Sequence, residues 1–209
     1  MKLIYALCLI LLGTSSAIAQ ELAPGSLLVA TDELQDSSFA ETVILLLHYG
    51  SDGALGVAIN RPTWVIARDS FPNMPFLDGY EGSVYFGGPL APATLITLIR
   101  IPELNEDGMQ PIVDDIYVSA DPDLLDELID TTTTDQILRV YAGHAGWESG
   151  QLDTEIENGS WQVRPANSDI VFAADPLTLW TKLRAPKTEL MVFHPDHGWT
   201  IETRLIHTR

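Results

Sequence analysis

The residues of this chain best suited to chemistry lie between Arg139 and Trp161, in the stretch RVYAGHAGWESGQLDTEIENGSW. His144, set between Gly143 and Gly146, is followed by Glu148 and Glu155, the residue types of a general acid–base pair or of half a metal site. Such a pair works only if His144 and Glu155 come within hydrogen-bond reach, directly or through one water. A hydrolase-type reaction on these two groups is therefore the enzymatic alternative. One histidine with carboxylates falls short of the three protein ligands of a catalytic zinc centre, so neither a metal nor another cofactor is expected. His194 and His197 flank Pro195, which keeps them off a helix and points to a hairpin turn. No G-x-S-x-G elbow, H-E-x-x-H helix or calcium loop occurs anywhere in the sequence.

Two further stretches carry candidate groups. Asn60-Arg61-Pro62 ends an apolar run, where Arg61 can offer a planar fork of donors to a carboxylate or phosphate. Equally, Arg61 can pair with one of the many acidic side chains while Asn60 caps the turn. Gly87-Gly88-Pro89 follows a short apolar run; without side chains the backbone there can approach a partner closely and present amides to an anion. Its spacing matches neither a dinucleotide fingerprint nor a lysine-bearing phosphate loop, and a sharp bend out of the sheet explains it as well. In the first stretch, Gln151 and Glu155 stand four apart on one helix face, and Leu152 and Ile156 four apart on the next. The apolar pair anchors the helix and the polar pair faces whatever lies over the strand end. Trp147 can wall a pocket that Trp161 closes, or both indoles can be core packing.

These groups need elements to hold them. Residues 25–31 read as a buried strand, and Thr42–Tyr49 as a central strand covered on both faces. Residues 54–60 return from a Gly-Ser-Asp-Gly turn as its antiparallel partner. The mixed stretch from Thr63 to Gly82 reads as a short helix or loop over the sheet, and residues 105–111 as an acidic loop. Further strands are expected at 83–86, 94–101, 115–119, 138–142 and 168–173. Asp121-Pro122 and Asp175-Pro176 each place an N-cap aspartate before a first-turn proline and so open helices. Residues 189–193 and 199–205 form a terminal hairpin. Strands come as antiparallel neighbours and helices are few, which gives a single α+β domain with a mixed, mostly antiparallel sheet.

Composition narrows the partners. Lys2, the apolar run Leu3–Leu12 and Ala17-Ile18-Ala19 have the form of a secretory signal peptide cleaved after Ala19, leaving a domain over residues 20–209 in the periplasm or outside the cell. Its apolar core is too short for a comfortable membrane span, so no stable membrane insertion is expected after cleavage. The single cysteine, Cys8, would leave with it, so thiol catalysis and cysteine-ligated metal are not expected in the mature chain. With 29 acidic and 11 basic residues the formal charge is −18, which repels phosphate backbones and anionic lipid, so no direct nucleic-acid binding is expected.

Three blocks in order, GSLLVATDELQDSSFAETVILLLHYGSDGALGVAINRPT, VYFGGPL and YAGHAGWESGQLDTEIENGSW, resemble the YqgE/AlgH family of bacterial proteins over about residues 24–183. The resemblance implies a compact α+β domain whose sheet is partly closed into a barrel with helices around it. It implies no enzyme and no cofactor, and some members of the family are associated with transcriptional regulation. The chain departs from the family pattern in its export signal and in the hairpin added over about 187–209.

Together these readings lead to a non-enzymatic domain that binds an unidentified protein or small ligand. Its site is expected where Asn60, Arg61, Gly87, Gly88, His144, Trp147, Gln151 and Glu155 converge at one end of the sheet. An oligomer contact through the acidic surface and the tail hairpin is the third possibility.

Overall fold

In the computed structural model of the chain, the apolar runs form a curled, mostly antiparallel sheet. The structure describes residues 22–34, 36–78, 80–101, 109–119, 121, 123–126, 138–184, 187–194 and 198–205. The leader expected at 1–19, the turn residues 195–197 and the threonine-rich end of the helix opened by Asp121 fall outside these.

Strands β1 (Ser26–Ala30), β2 (Val43–Gly50) and β3 (Gly53–Ala58) come first, followed by β4 (Pro62–Ile66), the short helix α1 (Ala67–Ser70) and β5 (Ser83–Phe86). Next are β6 (Leu90–Arg100), β7 (Gln110–Val113), β8 (Ile116–Ser119) and β9 (Leu138–Trp147). Helix α2 (Gln151–Glu157), β10 (Trp161–Pro165), and helices α3 (Ser168–Val171) and α4 (Leu179–Arg184) complete the domain. The sheet runs β10-β1-β2-β3-β9-β6-β8-β7, with β4 and β5 branching from β9. Among the described residues, only β5 and β9 run parallel within it. Strands β11 (Lys187–His194) and β12 (Gly198–Leu205) pair as a separate antiparallel ribbon.

Strand β2 explains the layering. Val43 to Leu47 are all buried, as a strand covered on both faces must be. Val43, Leu45 and Leu47 point into one core with Leu27, Val57, Leu98 and Tyr141, inside the curl of the sheet. Val171, Phe172 and Leu179, from the α3–α4 region, plug that core. Ile44 and Leu46 point the other way, into a second core with Leu28, Trp147, Trp161 and Leu152 of α2. A third core forms where Ala67, Phe76, Leu77 and Tyr80 lie over Leu95, Ile99, Leu138 and Val140.

The sheet bends at Gly143. Before it, β9 pairs with β5 and β6; beyond it, Ala145 and Trp147 pair with Gly56 and Ala54 of β3. Tyr141 faces the inner core, whereas Ala145 and Trp147 face the outer one. Unbroken alternation would put all three on one side, so the strand gains an irregular residue where it changes partners. Gly143 takes φ +69°, and the β6–β9 register shifts at the same level.

Several sequence expectations change. Where a strand was expected over 168–173, residues 168–171 form helix α3: Asn167 accepts a hydrogen bond from the Ile170 amide at 2.8 Å, and this cap outweighs the β-branched pair that follows. Pro62 begins β4 beside β5 where a helix or loop was expected, because a proline at a strand's first residue forfeits no ladder bond. The covering helix and turns come after it. Gln110 and Pro111, assigned to a loop, pair with β8, and β10 had no counterpart in the sequence reading. The strand expected over 138–142 runs on to Trp147, so Gly143, His144 and Gly146 lie within β9 and not beyond its end.

Candidate functional site

Helix α2 positions its polar pair as its spacing dictates. Leu152 is buried and Ile156 packs beside it, which turns Gln151 and Glu155 toward the indoles of the outer core. Glu155 Oε2 accepts from Trp147 Nε1 at 2.9 Å and from Trp161 Nε1 at 2.8 Å. Its Oε1 accepts from Gln151 Nε2 at 2.9 Å, and Gln151 Oε1 accepts from the Glu148 amide at 3.0 Å. The rings of Trp147 and Trp161 meet edge to face, with Phe39 against Trp161. One carboxylate thus ties strand β9, helix α2 and strand β10 together through neutral donors. Over it opens a cavity of about 710 Å³, whose rim includes Glu33 and Asp36 and whose lining includes no lysine, arginine or histidine.

His144 is not part of this group. Gly146 lies on the same side of β9 as His144, since a Cβ there would come 3.9 Å from His144 Cδ2. Trp147, its neighbour, points to the opposite side, where Glu155 holds it. The pair required for the hydrolase alternative is therefore not assembled. His144 Nδ1 is buried without a hydrogen-bond partner among the described residues.

The other two blocks meet each other. Asn60 Oδ1 accepts from the Val43 amide at 2.8 Å and its Nδ2 donates to the Glu41 carbonyl at 2.9 Å, pinning the start of β2. Arg61 donates to the Ala40 carbonyl at 3.0 Å and lies over the Phe86 ring. Burial holds its pKa below the usual value, against the opposing charge of Asp36. Gly87 donates to the Ala142 carbonyl at 2.9 Å and accepts from the Ala58 amide at 2.8 Å. A Cβ on Gly87 would come 2.3 Å from the Gly143 oxygen, and one on Gly88 2.2 Å from the His144 carbonyl carbon. These glycines let the end of β5 cross β9 at the bend. Arg61 does not line the cavity: its hydrogen bond and ring contact go to Ala40 and Phe86, and its charge is felt by Asp36 on the rim.

A second cavity, about 670 Å³, was missed by the sequence reading. It lies between β4–β5 and the segment from Phe172 to Leu177, and Arg139 lines it. Arg139 is buried, donates to the Val171 carbonyl at 2.9 Å and the Ala173 carbonyl at 2.6 Å, and lies between the rings of Tyr85 and Phe172. The available signal was the arginine inside the apolar run Leu138-Arg139-Val140-Tyr141-Ala142, at an interior position of a strand. Among the described residues no three His, Cys, Asp or Glu side chains are grouped to hold a metal ion, and no helix is long and apolar enough to cross a membrane.

Comparison with known proteins places this architecture. Residues 27–188 match the family described as AlgH-like. A UPF0301 protein of Streptomyces avermitilis is 34% identical over 183 residues, covering 82% of this chain and 92% of the relative. One from Nocardia farcinica is 34% identical over 190 residues, covering 84% of each. Among solved structures, protein DIP2367 of Corynebacterium diphtheriae superposes with a TM-score of 0.67 at 27% identity, over 79% of this chain and 88% of that one. The solution structure of the AlgH protein from Pseudomonas aeruginosa gives 0.60 at 27% identity, over 73% and 82%. By family match and by fold, the chain belongs to the AlgH-like family of uncharacterised bacterial proteins.

Proposed function

We propose that this protein is a non-enzymatic binding domain, and that the cavity over Glu155 takes a ligand or partner segment bearing a positive charge. The observation that carries this reading is the electrostatic make-up of the cavity. Glu155 sits at its base held by three neutral N–H donors, Glu33 and Asp36 stand on the rim, and no basic side chain lines it. Aromatic walls beside several carboxylates, of which Asp36 alone feels a nearby cation, Arg61, outside the lining, favour ammonium and guanidinium groups over anions, through ring quadrupoles as well as charge. Gln151 orients the carboxylate and Trp147 and Trp161 shape the wall. Asn60, Arg61, Gly87 and Gly88 hold the neighbouring backbone in place.

Tetramethylammonium and arginine amide are suitable probes, followed by tryptophan fluorescence and by melting temperature. Saturable binding that weakens several-fold in a Glu33→Gln, Asp36→Asn double variant, and weakens with added salt, is the expected result. Both substitutions lie on the rim, and an asparagine at position 36 can still accept from the Ser38 amide as Asp36 does at 2.8 Å. Absence of saturable binding, or equal binding by the double variant, would sink the proposal.

A further inference from the structure

Among the described residues, the inner core of this acidic protein holds a cation without a carboxylate partner. Arg139 is 6% exposed, and among the described residues no carboxylate pairs with its guanidinium. Its hydrogen-bond partners are two main-chain carbonyls and its ring contacts are Tyr85 and Phe172. These neutral groups orient the charge without cancelling it, and a buried charge that is not cancelled is costly. Tyr141 Oη is buried on the same side of β9, next to Arg139, and is a neutral group as well. A cavity of about 670 Å³ has Arg139 in its lining, together with the Tyr85 and Phe172 rings that flank the guanidinium.

We infer that this cavity is a binding site for a small amphiphilic monoanion, an organic carboxylate with an aromatic or alkyl body, whose carboxylate pairs with Arg139. The planar guanidinium fork matches a carboxylate, and its ring neighbours keep it in one plane. One charge is all the site offers. Arg100 also lines the cavity, but Asp115 and Asp169 each pair with it at 3.2 Å, and Asp175 stands in the lining as well. A dianion would meet those carboxylates, whereas a monoanion needs only Arg139. The apolar body has walls to lie on: Phe172, Pro176, Leu177 and Trp64 line the cavity, and Trp64 is 97% exposed with its ring spare. The site is separate from the one over Glu155, because Arg139 faces the inner core side of β9 and Trp147 the outer.

The test is calorimetric titration of the full chain with benzoate, octanoate and inorganic phosphate, together with the arginine Nε–H resonances in a ¹⁵N-labelled sample. Benzoate or octanoate should bind saturably and shift the Arg139 signal, while phosphate at equal concentration leaves it in place. Arg139→Lys keeps the charge but loses the fork and should weaken binding about tenfold or more. Because Arg139 also fastens the end of α3, a second variant guards against misfolding. Trp64→Ala removes an exposed side chain, so it should leave the melting temperature unchanged and weaken benzoate several-fold. The inference is overturned if neither carboxylate binds, if phosphate binds as well as they do, or if Trp64→Ala binds benzoate like the parent.

Discussion

The two halves of β9 make opposite use of charge. Before Gly143 the strand sends Arg139 inward, where carbonyls and aromatic rings surround a cation. After Gly143 it sends Trp147 outward, where indole and amide N–H groups surround the Glu155 anion. Positions 139 and 147 have the same parity, and one irregular glycine separates their faces. Neither charge is neutralised by an ion pair among the described residues. Each is oriented by neutral partners, which leaves its charge available to something else.

The largest expected effect breaks the comparison at its pivot. Gly143→Ala forces a side chain into positive φ and places a Cβ 2.4 Å from the Gly88 oxygen. Left-handed strain and a backbone collision together should cost about 4 kcal/mol or prevent folding, read by chemical denaturation. Glu155→Ala comes next. It strands two buried indole N–H groups and should cost about 3 kcal/mol, whereas a carboxylate idle in the apo fold would cost almost nothing. Glu155→Gln retains one acceptor oxygen and should fall between.

A smaller effect sharpens the Arg139 side. Asp115 accepts from Ser168 Oγ and pairs with Arg100, and these partners, Ser168 foremost, hold its pKa below the usual carboxylate value. A folded pKa below the unfolded one means that the contribution is complete above the unfolded value of about 3.9 and is lost as pH falls through the folded value. Asp115→Asn should therefore cost about 1 kcal/mol at neutral pH, with the gap to the parent closing only below about pH 4. Smallest of all is Trp64→Ala, with a stability change within about 0.5 kcal/mol. Any larger loss would mean that Trp64 is packed, not free to wall a cavity.

Much of the domain was legible from local pattern. The β2–β3 hairpin followed from two apolar runs around Gly50-Ser51-Asp52-Gly53, and the double burial of β2 from its unbroken apolarity. The seating of α2 followed from Leu152 and Ile156 at helical spacing. Residues 168–173 misled because Ile170 and Val171 suit a strand by themselves, and the Asn167 cap decides between the two states. The candidate site divided for a similar reason. Gln151, Glu155 and Trp147, grouped by spacing along one helix and the strand end before it, do join in one hydrogen-bonded cluster. His144 was grouped with them by proximity in sequence, and pleat geometry turned it away.

The sequence alone determined the α+β class, the family and the pairs joined by short-range periodicity, because those depend on residues a few positions apart. Tertiary structure alone decided which face each half of β9 presents. That choice rests on Gly143 fitting against the Gly88 and Leu90 carbonyls, more than fifty residues away in the chain. With it came the separation of a buried cation from a partly buried anion, and a cavity at each.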